Sequence, residues 1–107
     1  MTRYASVIGL PPENVARYEE LHAAVWPDVL AQIARSNIVN YSIYRFGDKL
    51  FSYYEYVGDD YEADMALMAQ DPATQEWWSV CEPLQRPLDT RAEGEWWQAL
   101  PEVFHVD

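Results

Sequence analysis

Apolar residues recur every three or four positions after residue 12, which predicts a helix that runs to about residues 36–37. Pro27 falls inside this span and must bend the helix or restart it. Two positions on the inward face are polar, Tyr18 and His22, and they lie one turn apart, so both groups point the same way into the protein. They form either a locally satisfied buried pair or the wall of a pocket. The full inward face reads Val15, Tyr18, His22, Val25, Trp26, Val29 and Ile33.

Four segments have the composition of β-strands, namely residues 3–10, 39–46, 50–57 and 102–106. The second and third are joined by a short turn at residues 47–49 and form a hairpin. A second helix is predicted for residues 61–70, after the capping residues at 58–60, and a shorter one for residues 73–80. We expect an irregular loop over residues 82–94, and residues 95–100 are ambiguous.

The order strand, helix, strand, strand, helix, strand is the split βαβ arrangement of ferredoxin-like α+β domains. Such a domain carries its helices on one face of an antiparallel sheet and leaves the other face to be covered. In a chain this small and this aromatic, a second copy of the chain is the natural cover. We therefore expect a homodimer.

The length of the chain indicates how many domains it forms, and its net charge excludes some classes of partner. The 107 residues suffice for one domain, residues 1–107, and 7 Lys and Arg against 18 Asp and Glu give a net charge of −11. That charge repels phosphate backbones and anionic membranes, so we expect neither nucleic acid nor membrane partners. The N-terminus lacks an apolar signal core, and the single cysteine, Cys81, suits a reducing compartment, so we expect a cytoplasmic protein. No residue spacing favours a metal site.

His22 is the first candidate for chemistry. A histidine near neutral pKa is well suited to proton transfer at cellular pH, where a positioned acid or base contributes about 10²- to 10⁴-fold in rate. Tyr18 accompanies it on the helix, and Tyr41 lies on a strand that the helix is expected to cover. The alternative is a core histidine that is hydrogen-bonded to a backbone carbonyl.

Trp77 and Trp78 are the second candidates. An indole beside hydroxyl and imidazole groups suits a sugar, whose C–H face lies on the ring while its hydroxyls find polar partners. Alternatively, one Trp packs in the core and the other at a subunit interface. Weaker candidates are Glu55, as a second acid or base, and His105, which we expect to be structural. Cys81 lacks basic neighbours that would make it nucleophilic.

Several segments together resemble the L-rhamnose mutarotase family over nearly the whole chain in one register. They are Tyr18 and His22 followed by Trp26-Pro27, then residues 40–44, 75–78 and 102–104. The resemblance implies a dimeric α+β barrel that interconverts the α and β anomers of L-rhamnose without a cofactor. It also implies that His22 is the proton donor and that four residues contact the sugar: Tyr18, Tyr41, Trp77 and Trp78. Residues 86–97 match the better-known bacterial members poorly, which leaves the choice between L-rhamnose, L-fucose and other sugars open.

Two other functions fit the same residues. A cofactor-free monooxygenase of the dimeric α+β barrel type also places His, Tyr and Trp around an apolar pocket. A non-catalytic dimeric binding or interaction domain would bind sugar without accelerating any reaction, or would bind no sugar at all. Within the mutarotase reading, the second proton-transfer group stays open between Tyr18, Tyr41, Glu55 and a water. Whether the partner chain completes the pocket is also open.

Overall fold

Every residue from 1 to 107 is described in the computed structural model. The strands are β1 (Thr2–Gly9), β2 (Ile38–Phe46), β3 (Lys49–Tyr56) and β4 (Gln98–Ala99). The helices are α1 (Val15–His22), α2 (Pro27–Arg35), α3 (Tyr61–Gln70) and α4 (Pro72–Cys81). The strands form one antiparallel sheet in the order β2-β3-β1-β4. This order confirms the predicted ferredoxin-like α+β fold.

Local chemistry explains where the elements begin and end. Gly47 takes a φ of 58° in the turn between β2 and β3, a left-handed conformation that suits glycine. Pro27 starts α2 after a break at residues 23–26, as the sequence predicts. Asp60 and Asp71 cap α3 and α4, because each carboxylate accepts a hydrogen bond from a backbone N–H three residues further on.

The core lies between the sheet and helices on one of its faces, as expected. Tyr18 of α1, Val29 of α2 and Trp77 of α4 pack there against residues of β1 and β3. The predicted inward face of the first helical stretch is confirmed, since Val15, Val25, Trp26 and Ile33 all pack against this core. The buried core residues are Ile8, Leu10, Tyr18, Val29, Leu50, Trp77 and Cys81.

The prediction of a last strand at residues 102–106 is wrong. The fourth strand is instead the two-residue β4, which pairs with Ser6 and Val7 of β1. The pairing ends because Leu100 donates its N–H to the carbonyl of Ala5 and is followed by Pro101, which has no N–H to donate. Residues 101–107 are exposed, and the tail is held to β1 by an ion pair between Arg3 and Glu102, with 2.9 Å between Nη2 and Oε1.

Opposite the helices, the sheet presents an open face. Side chains alternate along a strand, and Ile43 of β2 packs on the helix side, so Tyr44 points to the open face. Tyr44 is 67% exposed, and Phe51, its cross-strand neighbour on β3, is also exposed. A single chain therefore leaves a strip of aromatic surface in water on this face. No helix of the protein has both the length and the apolar character needed to cross a membrane.

Candidate active site

Tyr18 and His22 lie side by side on α1 and point into the protein, as their spacing predicts. Their rings stack with centroids 4.0 Å apart and an angle of 21° between planes. Tyr18 is only 3% exposed, while His22 is half-buried at the C-terminal end of the helix. The phenol is thus part of the core, and the imidazole lies between the core and the surface.

The hydrogen bond of His22 fixes its tautomer. Nδ1 lies 2.9 Å from the backbone carbonyl oxygen of Tyr18, and a carbonyl can only accept, so Nδ1 carries the hydrogen. Burial lowers the pKa of His22, and the bond to the Tyr18 carbonyl opposes that shift only in part. The ring is therefore neutral at pH 7. Its Nε2 makes no hydrogen bond within the chain, so its lone pair is able to accept a proton.

Two indole rings form a wall beside the imidazole. Trp77 of α4 contacts His22 edge to face, with ring centroids 5.2 Å apart. Trp26 contacts Trp77 in the same way at 5.0 Å. Trp26 occupies the extended residue just before α2, so the break made by Pro27 is what brings its ring to the site. The sequence places Trp26 on the inward face and within the family resemblance but gives it no role, and its contact with Trp77 adds it to the candidate site.

The hydroxyl groups of Tyr18 and Tyr41 both keep their protons. Burial raises the pKa of Tyr18 far above its ordinary value, and Tyr41 adds to this shift. Burial of the Tyr41 hydroxyl raises its pKa to about 12, although 43% of the residue is exposed. Exposure is averaged over the whole side chain, whereas the pKa responds to the surroundings of the hydroxyl. Tyr41 makes no ring contact with His22 and packs edge to face on Tyr54, with centroids 5.4 Å apart.

Neither Trp78 nor Glu55 lies beside the imidazole of His22. Trp78 is half-buried at the margin of the core and has no ring contact with His22. Glu55 accepts hydrogen bonds of 2.7 Å from both Asn40 and Tyr53. Because Tyr54 contacts Tyr41 on the helix side, the alternation of β3 places Glu55 on the open face, away from the imidazole of its own chain.

A tyrosine cluster that the sequence analysis missed extends from Tyr41 along the sheet. Tyr4 and Tyr54 are paired across β1 and β3, and their rings stack 5.4 Å apart. Tyr61 of α3 stacks on Tyr4 at 4.4 Å and shares a hydrogen bond with the hydroxyl of Tyr54. The pairing of Tyr4 with Tyr54 follows from the strand register, which the sequence alone does not give. Together these rings fill the space between α3 and the sheet.

Other groups are poorly placed for catalysis. The Cys81 thiol is buried, which raises its pKa to about 11 and keeps it protonated. His105 lies in the exposed tail, where its Nε2 is 2.7 Å from a carboxylate oxygen of Asp107. No three His, Cys, Asp or Glu side chains come together in a way that could hold a metal ion. Surface hollows of about 550 and 250 Å³ lie against residues 89–96 and beside β1, and neither includes His22.

This fold and site define a class: a small α+β enzyme in which a neutral imidazole and protonated phenols adjoin an aromatic wall, suited to an uncharged polar ligand. A sequence model of the L-rhamnose mutarotase family matches residues 3–106, and the chain belongs to that family. The family resemblance expected from the sequence is thereby confirmed. The protein is a sugar mutarotase, an isomerase that interconverts anomers.

Individual relatives carry two different sugar names. The chain is 35% identical over 94 residues to an L-fucose mutarotase of Xanthomonas campestris, covering 84% of this chain and 74% of that protein. It is 30% identical over 109 residues to an L-rhamnose mutarotase of Phocaeicola vulgatus, covering all of both chains. The relatives support the mutarotase class without selecting one sugar.

Solved structures share the fold. An L-rhamnose mutarotase from Formosa agariphila superposes with a TM-score of 0.77 at 20% identity over the full length of both chains. Tetracenomycin F2 cyclase from Streptomyces glaucescens superposes with a TM-score of 0.69 at 18% identity, covering 99% of this chain and 96% of the other. At such identities the likeness concerns the fold alone, and the second structure shows that the fold also serves a polyketide cyclase.

Proposed function

We propose that this chain is an aldose 1-epimerase-type isomerase acting on a 6-deoxy-L-sugar, either L-rhamnose or L-fucose. The single observation that carries the mechanism is the neutral His22, whose Nδ1 is committed to a backbone carbonyl and whose Nε2 is free to accept a proton. Both sugar names occur among the relatives, and the two sugars share an uncharged pyranose ring with a methyl group at C5. A net charge of −11 does not repel such a ligand.

The proposed reaction starts from a closed sugar ring. Nε2 of His22 takes the proton of the anomeric hydroxyl while a tyrosine hydroxyl, of Tyr18 or Tyr41, or a bound water delivers a proton to the ring oxygen. The bond between C1 and the ring oxygen then breaks and leaves an open-chain aldehyde. Rotation about C1–C2 exposes the other face of the carbonyl to the C5 hydroxyl. No electrons leave the sugar, so the reaction needs no redox partner.

Ring closure reverses the proton transfers. The C5 hydroxyl attacks C1 and returns its proton to the group that had protonated the ring oxygen. The imidazolium of His22 now donates its proton to the carbonyl oxygen, which becomes the new anomeric hydroxyl. His22 thus accepts in the opening half and is the proton donor in the closing half, so the donor role implied by the family resemblance is one half of a cycle.

The aromatic wall supports the choice of a sugar. The C–H groups and C5 methyl of a 6-deoxy sugar are apolar, and the half-buried Trp26 offers matching surface where it packs on the buried Trp77, which itself contacts His22. Tyr41 and Trp78, which we keep as proposed sugar contacts, lie further from the imidazole and would meet the distal edge of the ring.

We propose that the working unit is a homodimer joined through the open face of the sheet. Tyr44 and Phe46 are 67% and 79% exposed there, and the tail exposes Val103 and Phe104. Single chains rarely leave such aromatic surface in water, whereas a stable pair of chains buries about 1,200–2,000 Å² in total. The cytoplasmic location expected from the single cysteine stays a prediction.

Anomer-exchange NMR tests the proposed function and chooses the sugar. The exchange rate between the α and β anomeric protons is measured for L-rhamnose, L-fucose and D-glucose, with and without a catalytic amount of protein. We expect acceleration for at least one 6-deoxy-L-sugar and little for D-glucose, whose C5 carries a hydroxymethyl group. Absence of acceleration for all three would contradict the proposal, and oxygen uptake with a flat aromatic substrate would favour the monooxygenase.

A further inference from the structure

Gln85 connects a distant loop to the site. Its Nε2 lies 3.3 Å from the hydroxyl of Tyr18, a residue 67 positions earlier in the chain. Its Oε1 lies 2.8 Å from the indole Nε1 of Trp96. Trp96 is 39% exposed and belongs to the segment 86–97, which matches the better-known members of the family poorly. A chain of hydrogen bonds therefore runs from this loop through Gln85 to Tyr18.

The direction of these two hydrogen bonds follows from which groups can donate. An indole nitrogen can only donate, so Trp96 obliges Gln85 to present its carbonyl oxygen to the loop. The amide nitrogen of Gln85 then faces Tyr18 and donates to its hydroxyl oxygen. Having accepted that bond, the Tyr18 hydroxyl must direct its own hydrogen elsewhere.

The hydrogen of the Tyr18 hydroxyl has no acceptor within the chain. Tyr18 is 3% exposed, and its hydroxyl makes no hydrogen bond other than the one it receives from Gln85. Buried tyrosine hydroxyls normally donate to a partner, so a missing acceptor indicates that a ligand supplies it. A sugar oxygen beside His22 is an acceptor of the right kind.

We propose that Gln85, clamped by Trp96, is a positioning residue that holds the Tyr18 hydroxyl as a hydrogen-bond donor towards the sugar. This inference rests on the proposed function, because it takes the sugar to be the acceptor. It gives the 86–97 segment a role in the site, since the segment sets the orientation of the Gln85 amide. It also distinguishes Tyr18 from a tyrosine whose hydroxyl is free to turn.

Gln85→Glu tests the proposal with almost no change of shape. The carboxylate still accepts from the Trp96 indole but cannot donate to Tyr18, so the phenol must donate to the carboxylate and turn its hydrogen away from the sugar. We expect KM to rise about fivefold, as for the loss of one hydrogen bond to the bound ligand. We expect kcat to stay within twofold, because this proposal makes Tyr18 a hydrogen-bond donor to the bound sugar and leaves delivery of the proton to Tyr41 or a bound water. As the pH falls, the protonated carboxyl regains a donor, and the ratio of variant to wild-type KM should return towards one.

Further variants separate this role from general damage. Trp96→Phe keeps an aromatic ring but frees the Gln85 amide to turn, so it should raise KM in the same direction by a smaller factor. Trp97→Phe is the matched control, because the neighbouring indole makes no hydrogen bond, and Gln70→Glu adds the same charge at an exposed position on α3. We expect neither control to raise KM.

A spectroscopic readout does not depend on turnover. In the wild type, hydrogen exchange at the Trp96 indole N–H should be slow, and Gln85→Met should accelerate it while Gln85→Glu does not. Unchanged exchange in Gln85→Met overturns the proposal. So does a Gln85→Glu KM equal to that of the wild type at every pH, and in that case the proposed function survives. If the wild type accelerates no sugar, the proposed function fails and this proposal fails with it.

Discussion

At the scale of single residues, His22 owes its properties to two neighbours on its own helix. The Tyr18 carbonyl holds the hydrogen of Nδ1, and the Tyr18 ring covers one face of the imidazole. Burial in this position disfavours the charged ring. A histidine that is neutral at rest is suited to accept a proton first and to donate it later.

The direction of this pKa shift predicts the pH dependence of the rate. The pKa of His22 lies below its ordinary value of 6.5, so the imidazole is neutral and able to accept a proton at pH 7 and above. The catalysed rate should stay level there and fall as the pH drops through a value below 6.5. Anomer-exchange NMR between pH 4.5 and 8, together with titration of the His22 ring signals, measures both curves. A midpoint above 6.5 would contradict the account.

The same shift affects stability in the same direction. A histidine with a depressed pKa in the folded protein binds its proton more readily in the unfolded chain. Between the two pKa values the unfolded state therefore holds more protons, and the free energy of unfolding rises with pH across that window. Acid thus weakens the fold and the proposed base over the same range.

At the scale of elements, the break between α1 and α2 builds the site. Without Pro27 a continuous helix would carry Trp26 along its own surface, whereas the restart leaves Trp26 in an extended conformation against Trp77. On the other side of the site, Asp71 caps the start of α4, the helix that carries Trp77. The site therefore depends on where these helices begin and end.

The cap of α3 gives a stability test. Asp60 accepts a 3.1 Å hydrogen bond from the backbone N–H of Ala63, so Asp60→Ala should lower the free energy of unfolding by about 1 kcal/mol. Asp59→Ala is the matched control, since it removes an adjacent exposed carboxylate that makes no cap. Urea unfolding followed by circular dichroism measures both. An equal loss in the two variants would show that charge, not capping, is responsible.

Sequence patterns predicted the elements that local chemistry determines. Proline, glycine and aspartate fixed the ends of α2, the β2–β3 turn and α3, and helical spacing fixed the direction of Tyr18 and His22. The patterns failed where the answer depended on distant contacts. An alternating tail indicated a strand at 102–106, but Pro101 ends the ladder, and Gln85 meets Tyr18 only because the chain folds back over 67 positions. Pro101 is a local signal that the alternation of the tail outweighed, whereas the contact between Gln85 and Tyr18 leaves none.

At the scale of the whole molecule, the two faces of the sheet have separate roles. Helices cover one face, and α1, α4 and the break before α2 contribute His22, Trp77 and Trp26 to the candidate site. The open face carries exposed aromatic residues of β2 and β3, and a second chain is its proposed cover. A net charge of −11 per chain opposes this association, so salt should strengthen it by screening the repulsion.

Tyr44→Asp tests the dimer. Tyr44 lies in the middle of β2 and is 67% exposed, so a carboxylate there costs the single chain little but would be buried between two copies. We expect the wild type to sediment as a dimer and the variant as a monomer. Leu67→Asp on α3 is the control, because Leu67 is 55% exposed on the helical side. A monomeric wild type, or a dimeric Tyr44→Asp protein, would contradict the proposed interface.

The most direct test of the account compares anomer exchange of L-rhamnose and L-fucose with wild-type protein and with His22→Ala. Removing a positioned acid–base group should lower the catalysed rate by about 10²- to 10⁴-fold. Circular dichroism of the variant checks that it folds. We expect the wild type to accelerate exchange of one or both sugars and the folded variant to lose this acceleration. A folded His22→Ala protein that exchanges anomers at the wild-type rate would contradict the central role of His22.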